Sequence, residues 1–239
     1  MKRLFIIRLG EPHEAVARKL GYFEDWIARD LGQSAATVDP RTGAPLPRAE
    51  DLAGVVVTGS NAMVTDRADW SERTADWLAD LVGRAVPVLG ICYGHQLLAR
   101  ALGGEVIDHP GGRELGTVPV QRLEAAADDA LFAGMPSRFG VNVVHSQTVR
   151  TLPPDAVRLA ANDFEPNHAF RVGCCAWGLQ FHPEFRADAM RAYVDALAPQ
   201  LVAEGGDPQA LAAQVRETPE SRSLLTRFAR IAGSRDAGI

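Results

Sequence analysis

The stretch "VPVLGICYGHQLLARALGG", residues 86–104, constrains the fold more than any other. Its apolar opening reads as a strand, and its second half has helical spacing. Between the two stands Gly90-Ile91-Cys92-Tyr93-Gly94. A turn this tight, between strand and helix, has no room for Cβ atoms two positions either side of its centre, and it lifts the central side chain clear of the sheet edge. Cys92 is therefore a candidate nucleophile. The helix N-terminus behind it favours a thiolate and offers free N–H groups to a developing oxyanion. The plain alternative is a buried thiol in a tight α/β turn.

Apolar runs alternate with helical patterns through the first hundred or so residues. Strands are predicted over 4–9, 35–38, 54–58 and 86–89, and helices over 14–31, 69–81 and 94–102. Strands separated by helices imply right-handed crossovers and a doubly wound, mostly parallel α/β sheet with helices on both faces. Short strands over 118–123, 140–145, 157–161, 169–172 and 175–181 follow one another through turns, which predicts a small antiparallel or mixed extension. From Arg186 onward the pattern is helical. Asp207-Pro208 and Thr218-Pro219-Glu220 each set a capping residue before a proline, predicting two short helices after a long one. The expected organisation is one domain over 1–198 and a helical extension over 199–239 packed on it. The tail's apolar positions, Ala210, Leu211, Val215, Leu224, Leu225, Phe228 and Ile231, must cover something. The choices are the same domain, a docking or homodimer surface, or a wall beside the active site.

Composition excludes several function classes. A net charge of −5 leaves no electrostatic footprint for nucleic acid or an anionic membrane. No apolar run approaches the roughly 18–20 residues of a membrane span. The opening "MKRLFIIRLGEP" has an arginine inside its short apolar run and reads as a first strand rather than a signal peptide. Three cysteines cannot make a disulfide framework, so a reducing cytoplasm is expected, with Cys174 and Cys175 as core thiols. Trp70, Trp77 and Trp177 are expected to pack helix on sheet. No cluster has metal-ligand spacing and no glycine loop cradles phosphate, so neither metal nor cofactor is expected.

A thiol nucleophile needs a base, and the base an orienting group. "GLQFHPEF", residues 178–185, offers both. Proline after His182 holds that histidine extended, and residues two apart in an extended segment point the same way. Glu184 can then hold His182 in the tautomer that accepts the thiol proton.

Together the two segments resemble, in order and separation, the signature segments of the class I (triad) glutamine amidotransferases, a resemblance covering about residues 1–195. It implies a flavodoxin-like sheet and a Cys92–His182–Glu184 triad that hydrolyses the γ-amide of glutamine through a γ-glutamyl thioester. "VVVTGSNAM" resembles the family's oxyanion loop, which implies that a backbone N–H of Gly59 or Ser60 acts with that of Tyr93. The family often has a second glycine and a proline where this chain has Ser60-Asn61, which leaves the choice between Gly59 and Ser60 open. Gln96 occupies the family's glutamine-binding position, and its amide can both donate and accept. "VVHSQTV" resembles the segment whose backbone grips the substrate's α-carboxylate and α-amino groups, implying Ser146 and Gln147, with His145 lining the pocket or serving as a strand-end histidine. With the chain ending at Ile239, no ATP-pyrophosphatase or other synthase domain is expected. Its C-terminal helices resemble those of stand-alone, GMP-synthase-like members, some of which act as γ-glutamyl peptidases. The expectation is a stand-alone hydrolase of glutamine or a γ-glutamyl compound. The alternatives are a glutaminase subunit feeding ammonia to a separate synthase and a non-catalytic binding module on the same fold.

Overall fold

The structure, a computed structural model, describes residues 2–236. The last three positions of the expected 199–239 extension lie outside the described residues. Nine strands form one sheet. In spatial order they are β2 (Ala35–Val38), β1 (Arg3–Ile7), β3 (Leu52–Val57), β4 (Val88–Ile91), β11 (Ala176–Leu179), β10 (Ala169–Val172), β9 (Val157–Ala161), β6 (Glu114–Arg122) and β7 (Arg138–His145). The first five run parallel, in the flavodoxin-like order. From β11 onward each neighbour is antiparallel. A separate two-stranded ribbon pairs β5 (Glu105–Asp108) with β8 (Gln147–Thr151), and the apolar spacing did not predict it.

Side chains alternate across the parallel strands and feed two cores. Val56 joins Ile6, Leu89 and Trp177 on one face, covered by α2 (Phe23–Leu31) and α8 (Pro219–Asp236) through Ile27, Leu31, Leu224 and Phe228. Val55 and Val57 face the other way, under α3 (Asp69–Gly83) and α4 (Tyr93–Ala101), with Leu78, Leu81, Leu97 and Leu98. Trp177 is fully buried, its indole N–H donating to Asp129 at 3.0 Å. Trp70 and Trp77 pack part-buried against the second core.

Three local expectations are corrected. The single helix over 14–31 is two helices, α1 (Glu14–Leu20) and α2, because Gly21 turns to φ +86° and the backbone N–H of Tyr22 is taken by the Asp25 carboxylate. The helix after Pro219 is 18 residues long, not short, since Leu224, Leu225 and Phe228 bury a continuous face on the sheet. It follows α5 (Ala187–Ala196), α6 (Ala198–Ala203) and α7 (Pro208–Gln214). Cys174 is exposed in the turn between β10 and β11, whereas Cys175 is buried with its thiol 3.2 Å from the Ala85 carbonyl. No helix among the described residues is long and apolar enough to cross a membrane.

The α8 face makes a measurable contribution. Phe228 is fully buried and meets Trp177 edge-on at 6.3 Å. Phe228→Ala should lower unfolding free energy by about 3–5 kcal/mol in urea titrations. A loss below about 1 kcal/mol would show that α8 contributes little to holding the sheet.

Candidate active site

The site is assembled where β4 and β11 end side by side. Cys92 caps α4 with φ +49° and ψ −99°, a conformation that costs a non-glycine residue about 1–3 kcal/mol. Its neighbours make the turn possible. A Cβ on Gly90 would lie 2.3 Å from the Gly94 carbonyl oxygen, and one on Gly94 would lie 2.5 Å from that of Val57. The backbone N–H of Cys92 donates to the Leu179 carbonyl at 2.8 Å, pinning the turn to β11. The thiol stands 3.7 Å from the Val144 carbonyl.

Beyond β11, the His182 N–H donates to the Asn142 carbonyl at 2.8 Å. Nδ1 of His182 is 2.8 Å from Oε1 of Glu184, and both side chains are buried. The ring stacks on Phe185 at 4.1 Å and more distantly on Phe23 at 6.0 Å. Nε2 is buried without a hydrogen-bond partner among the described residues. Gly59 shows how close the pair lies: a Cβ there would sit 3.0 Å from Cε1 of His182 and 3.7 Å from Cβ of Cys92. Burial disfavours the imidazolium, but the Glu184 carboxylate and the Cys92 sulfur outweigh it, and the pKa of His182 is pushed up to about 10. His95, next on α4, packs on Phe170 and is pushed down to about 3 by burial, so it stays neutral.

A cavity of about 370 Å³ opens beside Cys92. Gln96, Val144, His145 and Ser146 line it near the nucleophile, and Ser60 and Asn61 come from the loop after β3. The Tyr93 side chain is buried away from the cavity. Its hydroxyl bonds Ser71 at 2.7 Å and its ring stacks on Trp70. The amide nitrogen of Gln96 donates to the Gln147 carbonyl and to Oε1 of Gln180, at 3.1 and 3.0 Å, which leaves Oε1 to accept. Carbonyls of the expected gripping segment are committed within the protein. That of Ser146 receives the His109 N–H, and that of Gln147 receives both Gln96 and Nδ1 of His145.

Sequence reasoning missed the support of His145. Its Nε2 is 2.9 Å from Oε2 of Glu114, and His168 stands 3.3 Å from the same oxygen. Asn162 donates to Oε1 at 2.7 Å. Burial works against ionising Glu114, yet these contacts hold its carboxyl well below the usual carboxylate range. Also missed was the outer wall of the cavity, formed by Arg113, Tyr193, Leu197 and Gln200. The Tyr193 hydroxyl takes the His13 N–H at 3.3 Å. Nothing local in the sequence marks these residues. Among the described residues no cluster of His, Cys, Asp and Glu could hold a metal ion.

The model of the family described as "Glutamine amidotransferase class-I" matches residues 23–195. GMP synthase [glutamine-hydrolyzing] of Aeropyrum pernix is 37% identical over 169 residues, 71% of this chain, which spans only 29% of that protein's length. The GMP synthase [glutamine-hydrolyzing] subunit from Archaeoglobus fulgidus is 31% identical over 77% of this chain and 89% of its own. Gamma-glutamyl peptidase 4 of Arabidopsis thaliana is 25% identical over 95% of this chain and 92% of its own. A glutamine amidotransferase structure from Thermotoga maritima superposes with a TM-score of 0.74 at 28% identity, covering 95% of this chain and 98% of that one.

The raised pKa of His182 carries a stability signature. Because the folded value lies above the ordinary 6.5, the protonated ring stabilises the fold fully below pH 6.5, and this contribution is lost as pH rises through about 10. Urea titrations should show the advantage of the wild type over His182→Gln shrinking toward alkaline pH. A constant difference across that window would contradict the charged pair.

Proposed function

The chain belongs to the class I glutamine amidotransferases, and from that premise we propose that it hydrolyses a γ-glutamyl amide bond with Cys92 as nucleophile, His182 as general base and acid, and Glu184 as the group that orients His182. The carrying observation is that parallel strand ends set the Cys92 turn beside a histidine whose far nitrogen is already taken by a carboxylate. The Cys92 thiol passes its proton to Nε2 of His182 as its sulfur attacks the γ-carbonyl carbon. The oxyanion is received by the N–H of Tyr93 and that of Gly59 or Ser60, at the helix N-terminus and the loop after β3. As the C–N bond breaks, Nε2 of His182 gives its proton to the leaving amine. Water, deprotonated by the same nitrogen, then cleaves the γ-glutamyl thioester and releases glutamate. Oε1 of Gln96 faces the substrate's α-ammonium, and the backbone N–H groups of Ser146 and Gln147 face its α-carboxylate. His145 is held as a wall by Glu114.

The same chemistry serves two roles that differ only in the leaving amine. Likeness to the Arabidopsis peptidase over nearly the whole chain favours a self-contained γ-glutamyl hydrolase. Likeness to the Archaeoglobus synthase subunit supports the second role, ammonia supply to a separate synthase. In either role residues 1–198 form the catalytic domain, and the extension from 199 begins at the cavity wall, where Gln200 stands.

Purified protein assayed alone for glutamate release, from glutamine and from γ-glutamyl dipeptides, separates the two roles. Cys92→Ala should abolish release with the fold intact. A γ-glutamyl-like electrophile should label Cys92 and spare Cys174, although Cys174 is the exposed thiol. Labelling at Cys174 would overturn the assignment. His182→Ala should cost on the order of 10²–10⁴ in kcat, and Glu184→Ala less, because orientation is a smaller effect than proton transfer.

A further inference from the structure

We infer that Arg113 is a second binding position in the cavity, one that reads the free carboxylate of an amino-acid leaving group, so that the substrates are γ-glutamyl amino acids or peptides. The inference rests on the hydrolytic reading of Cys92 given above, and it concerns what lies on the departing side of the scissile bond.

The first support is charge. Arg113 lines the same cavity as Cys92, and no aspartate or glutamate is among the described residues that line it. Arg113 is also the only lysine or arginine among the described residues that line it. Free glutamine is a zwitterion of net charge zero, with both charges on its α-carbon. A γ-glutamyl amino acid carries a second carboxylate, on the leaving side, and is a net anion. A cavity wall with a guanidinium and no carboxylate suits the second molecule better than the first.

The second support is how the guanidinium is held. Its Nη1 donates to Oε1 of Gln200 at 3.1 Å, a neutral partner that fixes the planar group without cancelling its charge. Its ionic neighbour is Glu204, with Nη2 and Oε1 3.5 Å apart and the carboxylate side chain 52% exposed. A pair so solvated contributes little and yields readily to a better-placed carboxylate. Arginine's fork suits such a ligand, because two parallel N–H donors match two carboxylate oxygens.

The third support is placement. The groups suited to the α-amino-acid end, Gln96 and Ser146, belong to α4 and to the turn between β7 and β8. Arg113 is tied instead to α6 through Gln200, on the wall that Tyr193 and Leu197 continue. With the scissile carbon at Cys92 and the α-end toward Gln96, that wall is left for the departing amino acid.

The test uses the full chain carrying Cys92→Ala, so that ligands stay whole, and calorimetric titration with γ-glutamylalanine, γ-glutamylalaninamide and glutamine. The acid should bind at least about tenfold tighter than its amide. Adding Arg113→Gln should erase that difference while changing glutamine least of the three, and Arg113→Lys should restore part of it. Equal affinity for acid and amide overturns the inference, and so does an Arg113→Gln variant that weakens all three ligands in parallel, since the guanidinium would then serve the α-end. Glutamate release by the unsubstituted protein is read alongside. A protein that binds acid over amide yet releases no glutamate leaves Arg113 in its role and refutes the hydrolytic reading. One that hydrolyses glutamine but does not distinguish acid from amide does the reverse.

Discussion

Leu179 of β11 lies opposite Ile91 of β4, and its carbonyl receives the N–H of Cys92 at 2.8 Å. Parallel strands release their chains at the same edge of the sheet, so this one pairing brings together segments far apart in sequence. The residue leaving β4 is Cys92, and three residues past the end of β11 comes His182. The Cys92 turn needs the support, for φ +49° is held at a cost that only surrounding structure can offset. The loop after β3 closes the third side, with Gly59 narrow enough to admit both the thiol and the imidazole. Were β11 to shift by one residue, His182 would turn toward the opposite face.

Two carboxylate–histidine pairs then stand within one site and behave differently. In the first, Glu184 takes Nδ1 of His182, and Nε2 has no hydrogen-bond partner among the described residues. In the second, Nε2 of His145 meets Glu114 and Nδ1 meets the Gln147 carbonyl. Both of its nitrogens are engaged within the protein, and the ring forms part of the cavity wall. The same residue types leave one ring nitrogen open among the described residues in the first place and engage both in the second.

The parts legible in the sequence are those whose geometry is local. The glycines around Cys92 and the proline after His182 dictate conformation within a few residues, and each shows in the bare string. The alternation of strands and helices likewise predicts the parallel half of the sheet. Partnerships set by register are not legible. Glu114 meets His145 because the two are directly opposite across β6 and β7, and nothing in either segment announces that alignment. The break between α1 and α2 escaped because helical spacing continues through Gly21, and the backbone turn there overrides it. Arg113 and Gln200 share a wall only after the chain has crossed the sheet and returned through α5 and α6.

The cavity wall has a consequence for how such a chain diversifies. Tyr193, Leu197 and Gln200 come from a short run of helix past β11, whereas Cys92 is rooted far earlier in the chain, in a turn whose flanking glycines leave no room for a Cβ. Substitutions in the α5–α6 stretch reshape the outer wall of the cavity without touching the glycines that permit the Cys92 turn. The outer helical wall and the strained turn thus sit on separate lengths of chain, and the wall can be recut while the turn keeps its shape.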